Sequence, residues 1–269
     1  MNKLFLYGQK LAVITLVLVF AVSCSDDDNS DISLELQPIN SVTVDGYDIS
    51  LESERNLATG YNTLYWKVQK DGKSVDIESF TVNPMMDMMT MEHSTPVEQP
   101  VLNPIDSDYF YNMAVFIMPS GEMGTWSIAF EIVTKTEETI SGNISIEVES
   151  SWRLTSVRDE NDNVYFITWM TPEDPVMGNN ELSYLVHTRE TMMNFPAVSD
   201  VELIIYPYMD MGGGHGHSTD FNEPVAKGNG MYEGSINYSM SGVWTTSVKI
   251  VAGNDTLPEA MFEYSVKAK

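Results

Sequence analysis

No stretch of this sequence holds a 3.6-residue apolar period for four turns, which removes long amphipathic helices from the folds open to it. In their place come short runs rich in β-branched and aromatic residues, punctuated by Gly, Asn, Asp and Ser. They predict strands over 45–52, 63–69, 76–82, 111–118, 126–133 and 144–149. A second set is predicted over 153–158, 164–169, 182–188, 201–206, 232–238, 244–251 and 262–266. Regularly spaced short strands of this kind predict β-sandwiches and an all-β protein. The second set also repeats the first. Gly60-Tyr61-Asn62-Thr63-Leu64 matches Gly178-Asn179-Asn180-Glu181-Leu182, Tyr111 to Ile117 matches Tyr232 to Tyr238, and Gly124-Thr125-Trp126 matches Gly242-Val243-Trp244. A repeat of this length predicts two sandwiches of one topology, over 38–149 and 150–269.

The residues ahead of the repeat read as an address. Lys3 and Lys10 precede an apolar run from Leu11 to Val22, too short to span a bilayer, and small residues follow it up to Cys24. Ala21-Val22-Ser23-Cys24 resembles a bacterial lipobox, so 1–24 is expected to be a lipoprotein signal peptide with Cys24 as the lipidated residue. Cys24 is the only cysteine, so no disulfide can form within the chain. The acidic run that follows predicts a solvated flexible tether over 25–37. It also resembles the surface-export signal of some Gram-negative lipoproteins. The expected location is the cell envelope, on an outer-membrane lipid anchor that faces the periplasm or the cell surface, with the acidic run favouring the surface.

Charge narrows the partners. The formal net charge is -25, and loss of Lys3 and Lys10 with the leader takes it to -27. Such a surface repels nucleic acid and anionic lipid, leaving the lipid anchor as the membrane contact. No phosphate-binding glycine loop and no Gly-x-Ser-x-Gly elbow occurs, and the carboxylates show no acid–base spacing. No catalytic residue is assigned and a non-enzymatic role is expected, with no organic cofactor.

The chemistry that the sequence does offer is soft. Eighteen methionines are clustered rather than scattered. From Pro84 the chain reads PMMDMMTMEHST, and from Pro207 it reads PYMDMGGGHGHST. Both copies are Pro-x-Met-Asp-Met followed by His-Ser-Thr. Residues i and i+2 of an extended segment share a face, so Met86 with Met88, and Met209 with Met211, are expected to point together. Gly212 to Gly214 would let His215 or His217 fold back onto the second pair, as His93 would onto the first. Met240 and Met123, just before the two Gly-x-Trp corners, are candidates to close each site. Thioether and imidazole donors suit Cu(I), and thioether suits Zn(II) poorly. Met113, Met118, Met170 and Met261 are expected to be packing residues, as Met fills cores readily, and Met85, Met89 and Met91 an exposed patch. His187, without a methionine partner in its strand, is assigned to the core or the surface, and the five tryptophans to core or corner positions.

The sequence Met209-x-Met211, His215-x-His217, Gly230-x-Tyr232 and Met240-x-Gly242-x-Trp244 resembles the YtkA-like domain, a family related to FixH-type modules. The first half matches at Met86, Met88, His93, Tyr111, Met123, Gly124 and Trp126, with one His, extra methionines and an insertion at Pro119-Ser120-Gly121-Glu122. The resemblance covers about 70 residues of each half. It implies immunoglobulin-like sandwiches and a role in copper buffering, handover or efflux, with a copper-handling envelope protein as partner. The competing expectation is a surface module that binds a glycan or a protein.

Overall fold

The structure is a computed structural model that describes residues 34–253 and 255–269. The leader, Cys24 and the tether up to residue 33 lie outside those residues. Among the described residues every regular element is a strand. None is a helix long and apolar enough to cross a membrane. Leu34–Lys269 forms one compact unit.

The first half runs β1 (Gln37–Val44), β2 (Tyr47–Ser53), β3 (Gly60–Lys70), β4 (Lys73–Ser74), β5 (Ile77–Asp87), β6 (Glu92–His93), β7 (Val101–Leu102), β8 (Tyr109–Phe116), β9 (Thr125–Thr134) and β10 (Thr139–Ile146). One sheet is ordered β1-β2-β3-β8-β7 and the facing sheet β10-β9-β5-β6. Taking β2 as strand A, this is A-B-E-D against G-F-C-C′, the immunoglobulin arrangement. The second half runs β11 (Leu154–Arg158), β12 (Val164–Thr171), β13 (Gly178–Thr188), β14 (Glu202–Gly212), β15 (His215–Ser218), β16 (Asp220–Gly228), β17 (Met231–Tyr238), β18 (Gly242–Ala252), β19 (Asp255–Thr256) and β20 (Ala260–Val266). Its sheets are β11-β12-β13-β17-β16, and β15-β14-β18 with β20 also on β18. The letters are the same again. The protein is all-β, built from immunoglobulin-like sandwiches.

Alternation drives both cores. Along β5 the buried residues are Phe80, Val82, Pro84 and Met86, and along β14 they are Leu203, Ile205 and Pro207. Trp66, Trp126 and Met86 sit in one core; Trp169, Trp244 and Tyr184 sit in the other. Gly60 and Gly178 open β3 and β13 at positive φ, and two residues on Asn62 and Asn180 make the same bonds. Each amide donates to the carbonyl four residues back, at 2.7 Å in both halves.

Several expectations need correction. β1 and β16 were not anticipated, and Gln37, expected to close the tether, begins β1. The Met/His stretches are not loops but strand hairpins, β5–β6 and β14–β15. The match of Tyr111 to Tyr232 slips by one residue: Gly60 pairs with Phe116 and Gly178 with Tyr238, so Phe110 occupies the place of Tyr232. A one-residue slip exchanges the faces of a strand, and it is Phe110, not Tyr111, that packs against the first core. Met261, expected inside, is 54% exposed.

The two sandwiches also touch. Glu173 of the second half pairs with Arg55 of the first and with Arg153, and Ile117 packs against Val164, Phe166 and Phe195. The main-chain N–H of Ser94 donates to the carbonyl of Met192 at 2.8 Å.

One difference between the halves is testable for stability. Gln99 braces β5 with two bonds: it accepts from the Val82 N–H at 2.8 Å and donates to the Val82 carbonyl at 3.2 Å. In the same place Glu223 accepts from the Ile205 N–H at 2.8 Å, but as a carboxylate it has nothing to donate. Burial raises its pKa above the ordinary carboxylate value. Glu223→Gln should therefore stabilise the second sandwich at pH 7 by about 0.5–1 kcal/mol, the scale of one hydrogen bond. Protonated Glu223 regains a donor. The gain in a urea titration should accordingly shrink as pH falls through the raised pKa.

Candidate metal centre

Strand register brings a methionine and a histidine together twice. Met86 on β5 lies opposite His93 on β6, and Met209 on β14 lies opposite His217 on β15. Opposed residues of an antiparallel pair share a face, with Cβ atoms about 4.5–5.5 Å apart. The imidazole of each pair rests edge-on against the corner tryptophan. His93 to Trp126 is 5.3 Å between ring centroids, and His217 to Trp244 is 5.5 Å. Each indole N–H is tied to a methionine carbonyl, Met118 at 2.9 Å and Met240 at 3.0 Å.

The glycine two residues before each tryptophan takes a positive φ and lies close against the methionine. A Cβ at Gly242 would sit 2.5 Å from the Met209 methyl. One at Gly124 would sit 3.0 Å from the Met86 methyl and 2.5 Å from the Asp87 carbonyl. The glycine of each Gly-x-Trp corner thus meets the methionine methyl and the tryptophan meets the imidazole.

The two histidines are oriented alike. His93 Nδ1 lies 2.8 Å from the carbonyl of Ser94, and His217 Nδ1 lies 2.9 Å from the carbonyl of Ser218. A carbonyl oxygen only accepts, so Nδ1 carries the hydrogen in both rings, and the neutral tautomer compatible with this bond has its lone pair on Nε2. His93 is 4% exposed, and its Nε2 is buried without a hydrogen-bond partner. A buried acceptor left without a donor costs about 1–3 kcal/mol. This is the atom a soft cation would satisfy.

Other candidates are placed differently. Met88 follows Met86 on the inner face and is half-buried against the first core, with Asp87 outside, as alternation requires. In the second copy the alternation breaks: a bulge falls between Asp210 and Gly212, and Met211 is 58% exposed. Gly212, Gly213 and Gly214 all take positive φ in the turn, and His215 ends up exposed, beside Gly212 rather than Met209. Met123, in the Gly121–Gly124 turn, is 59% exposed and Met240 is 42% exposed. His187 is buried with no methionine opposite; burial alone lowers its pKa to about 4. Among the described residues no group of three or more His, Cys, Asp or Glu side chains could hold a metal ion.

Residues from elsewhere in the chain also surround His93. A 270 Å³ cavity has Met88, Met91, His93 and Met118 on the side of the first half and Met192, Arg158 and Arg189 on the side of the second. Met192 is about a hundred residues from His93 in sequence, and no local pattern marks it.

Comparisons with known proteins give no family. No family model matches the chain, and no curated protein matches it. Among solved structures it is similar to the Escherichia coli adhesin FdeC at 11% identity and TM-score 0.27, over 84% of this chain and 65% of that one. Domains 5–6 of the S-layer protein SbsC match at 12% identity and TM-score 0.31, over 87% and 98%. A conserved domain protein from Bacillus anthracis matches at 10% identity and TM-score 0.31, over 87% and 92%.

Proposed function

We propose that this chain is a non-catalytic immunoglobulin-like module of the cell envelope that binds Cu(I) through its Met/His hairpins, for buffering or for handover to a copper-handling partner. The observation that carries the reading is the pair of histidines with Nδ1 held by a carbonyl and Nε2 free, each opposite a methionine against a tryptophan. His93 Nε2 with Met86 and Met88 would hold one ion, and His217 with Met209 another. Met211, His215 and Met240 are exposed and would join the second site only by moving. The resemblance to the YtkA-like domain supports the same reading. Anchoring through Cys24 at the outer membrane is part of the proposal.

The test is competition against a chromophoric Cu(I) chelator. Wild type should take up Cu(I). Met209→Leu/His217→Ala should lose the second site, and Met86→Leu/Met88→Leu/His93→Gln should lose the first. Leu keeps the volume of Met and removes the sulfur. Unchanged uptake with both sets combined would end the copper reading.

A second reading draws on a different feature. A groove of 670 Å³ runs over the β5 and β9 face of the first sandwich, lined by Asn83, Gln99, Glu131, Ser141, Phe130 and Phe195 among others. Polar groups beside aromatic rings suit a glycan or a peptide. A chain that ignores Cu(I) yet is retained on immobilised glycans, and loses retention with Asn83→Ala, would favour it.

A further inference from the structure

We infer that the first metal site is shared between the two halves: Met192 of the second half donates its thioether alongside Met88 and His93 Nε2. This rests on the copper reading above and adds the donor set of one site to it. The three side chains line the same 270 Å³ cavity. His93 Nε2 is buried and lacks a hydrogen-bond partner. The approach of Met192 is fixed by the backbone, because its carbonyl accepts from the N–H of Ser94, the residue after His93. That bond and the His93 Nδ1 bond to the Ser94 carbonyl hold the imidazole and Met192 in one small assembly. Met88 is held from the other side, where its N–H donates to the Met91 carbonyl at 3.0 Å and the chain turns back into β6.

The charges select the ion. Arg158 and Arg189 line the same cavity. Coulomb repulsion scales with charge, so two guanidinium groups disfavour a divalent ion about twice as strongly as a monovalent one. Neutral soft donors beside fixed positive charge fit Cu(I) or Ag(I), not Cu(II) or Zn(II). The neighbouring residue supplies a control. Met193 is 54% exposed and lines the 670 Å³ groove instead.

The experiment uses the full chain carrying Met209→Leu/His217→Ala, so that only the first site remains. Cu(I) affinity is read by chelator competition, and the number of sulfur donors by X-ray absorption with Cu(I) bound. Met192→Leu should weaken Cu(I) at least tenfold and remove one sulfur from the coordination shell. Met193→Leu should change neither. Leu fills the same volume, so the metal-free melting temperature should move little, while the rise in melting temperature on adding Cu(I) should shrink. If the parent binds no Cu(I), the copper reading itself fails. If the parent binds and His93→Gln abolishes binding, but Met192→Leu leaves affinity and sulfur count intact, the site belongs to the first half alone and the inference is overturned.

Discussion

Lowering the pH from 7 to 4 should cost the second sandwich about 3 kcal/mol through His187 alone, and His187→Leu should abolish that part of the loss. His187 is 5% exposed, and its Nδ1 has no hydrogen-bond partner. Burial lowers its pKa from 6.5 to about 4. The folded value lies below the unfolded one, so the unfolded chain takes up a proton that the folded chain refuses. Stability from this group is therefore full above pH 6.5, declines as pH falls, and is gone below about 4. A gap of that size at about 1.4 kcal/mol per pH unit gives on the order of 3 kcal/mol. The surface works in the opposite direction. With 39 Asp and Glu against 14 Lys and Arg, protonating carboxylates relieves self-repulsion over part of the same range. The measurement is thus a difference: urea unfolding of wild type and His187→Leu at several pH values. The gap between them should move in favour of the variant as pH falls from 7 to 4. A gap independent of pH would mean that His187 titrates normally in the fold.

Trp126→Ala should cost about 4 kcal/mol, within the range for removing a fully buried tryptophan, and should weaken metal uptake at the first site as well. Trp126 is 1% exposed and packs edge-on against both Phe116, at 5.1 Å, and His93, at 5.3 Å. It also lies opposite Met86 in the β5–β9 ladder. The alanine leaves a cavity and strips the Met118 carbonyl of its indole donor. Trp126→Phe separates these effects. It keeps most of the ring and loses the N–H, and should cost about 1–3 kcal/mol, the penalty for one unpaired buried group. If Trp126→Phe proves as damaging as Trp126→Ala in a urea titration, the hydrogen bond rather than the volume dominates the corner.

The class of fold was legible because alternation and turn residues are local. Trp126, Trp244, Gly60 and Gly178 kept their assigned places because each does one job that no neighbouring residue can do. The hairpins were hidden by the methionines, whose flexible thioethers suit strand, loop and core alike. The slip at Tyr111 arose because Phe110 and Tyr111 are both aromatic, and only the ladder distinguishes them. Met211 shares its neighbours' spacing, but a bulge between Asp210 and Gly212 turns it outward. Met192 could not be read at all, since its meeting with His93 depends on how one sandwich lies against the other.

The placement of the two histidines bears on how fast a ligand leaves. β6 has two residues and β15 has four, and each is laddered only to the strand inside it. Outer strands this short open without unfolding the sheet, at a small fraction of the global free energy. His93 and His217 move with them, while Met86 stays in the core. Dissociation would then be timed by fraying of an edge, not by breakage of the sandwich. The two edges are not equal: β6 runs on into the Ser94 bond to Met192, whereas β15 runs on into β16 at Asp220. Amide exchange should be slower at Ser94 than at Ser218, and the first hairpin the slower to let go.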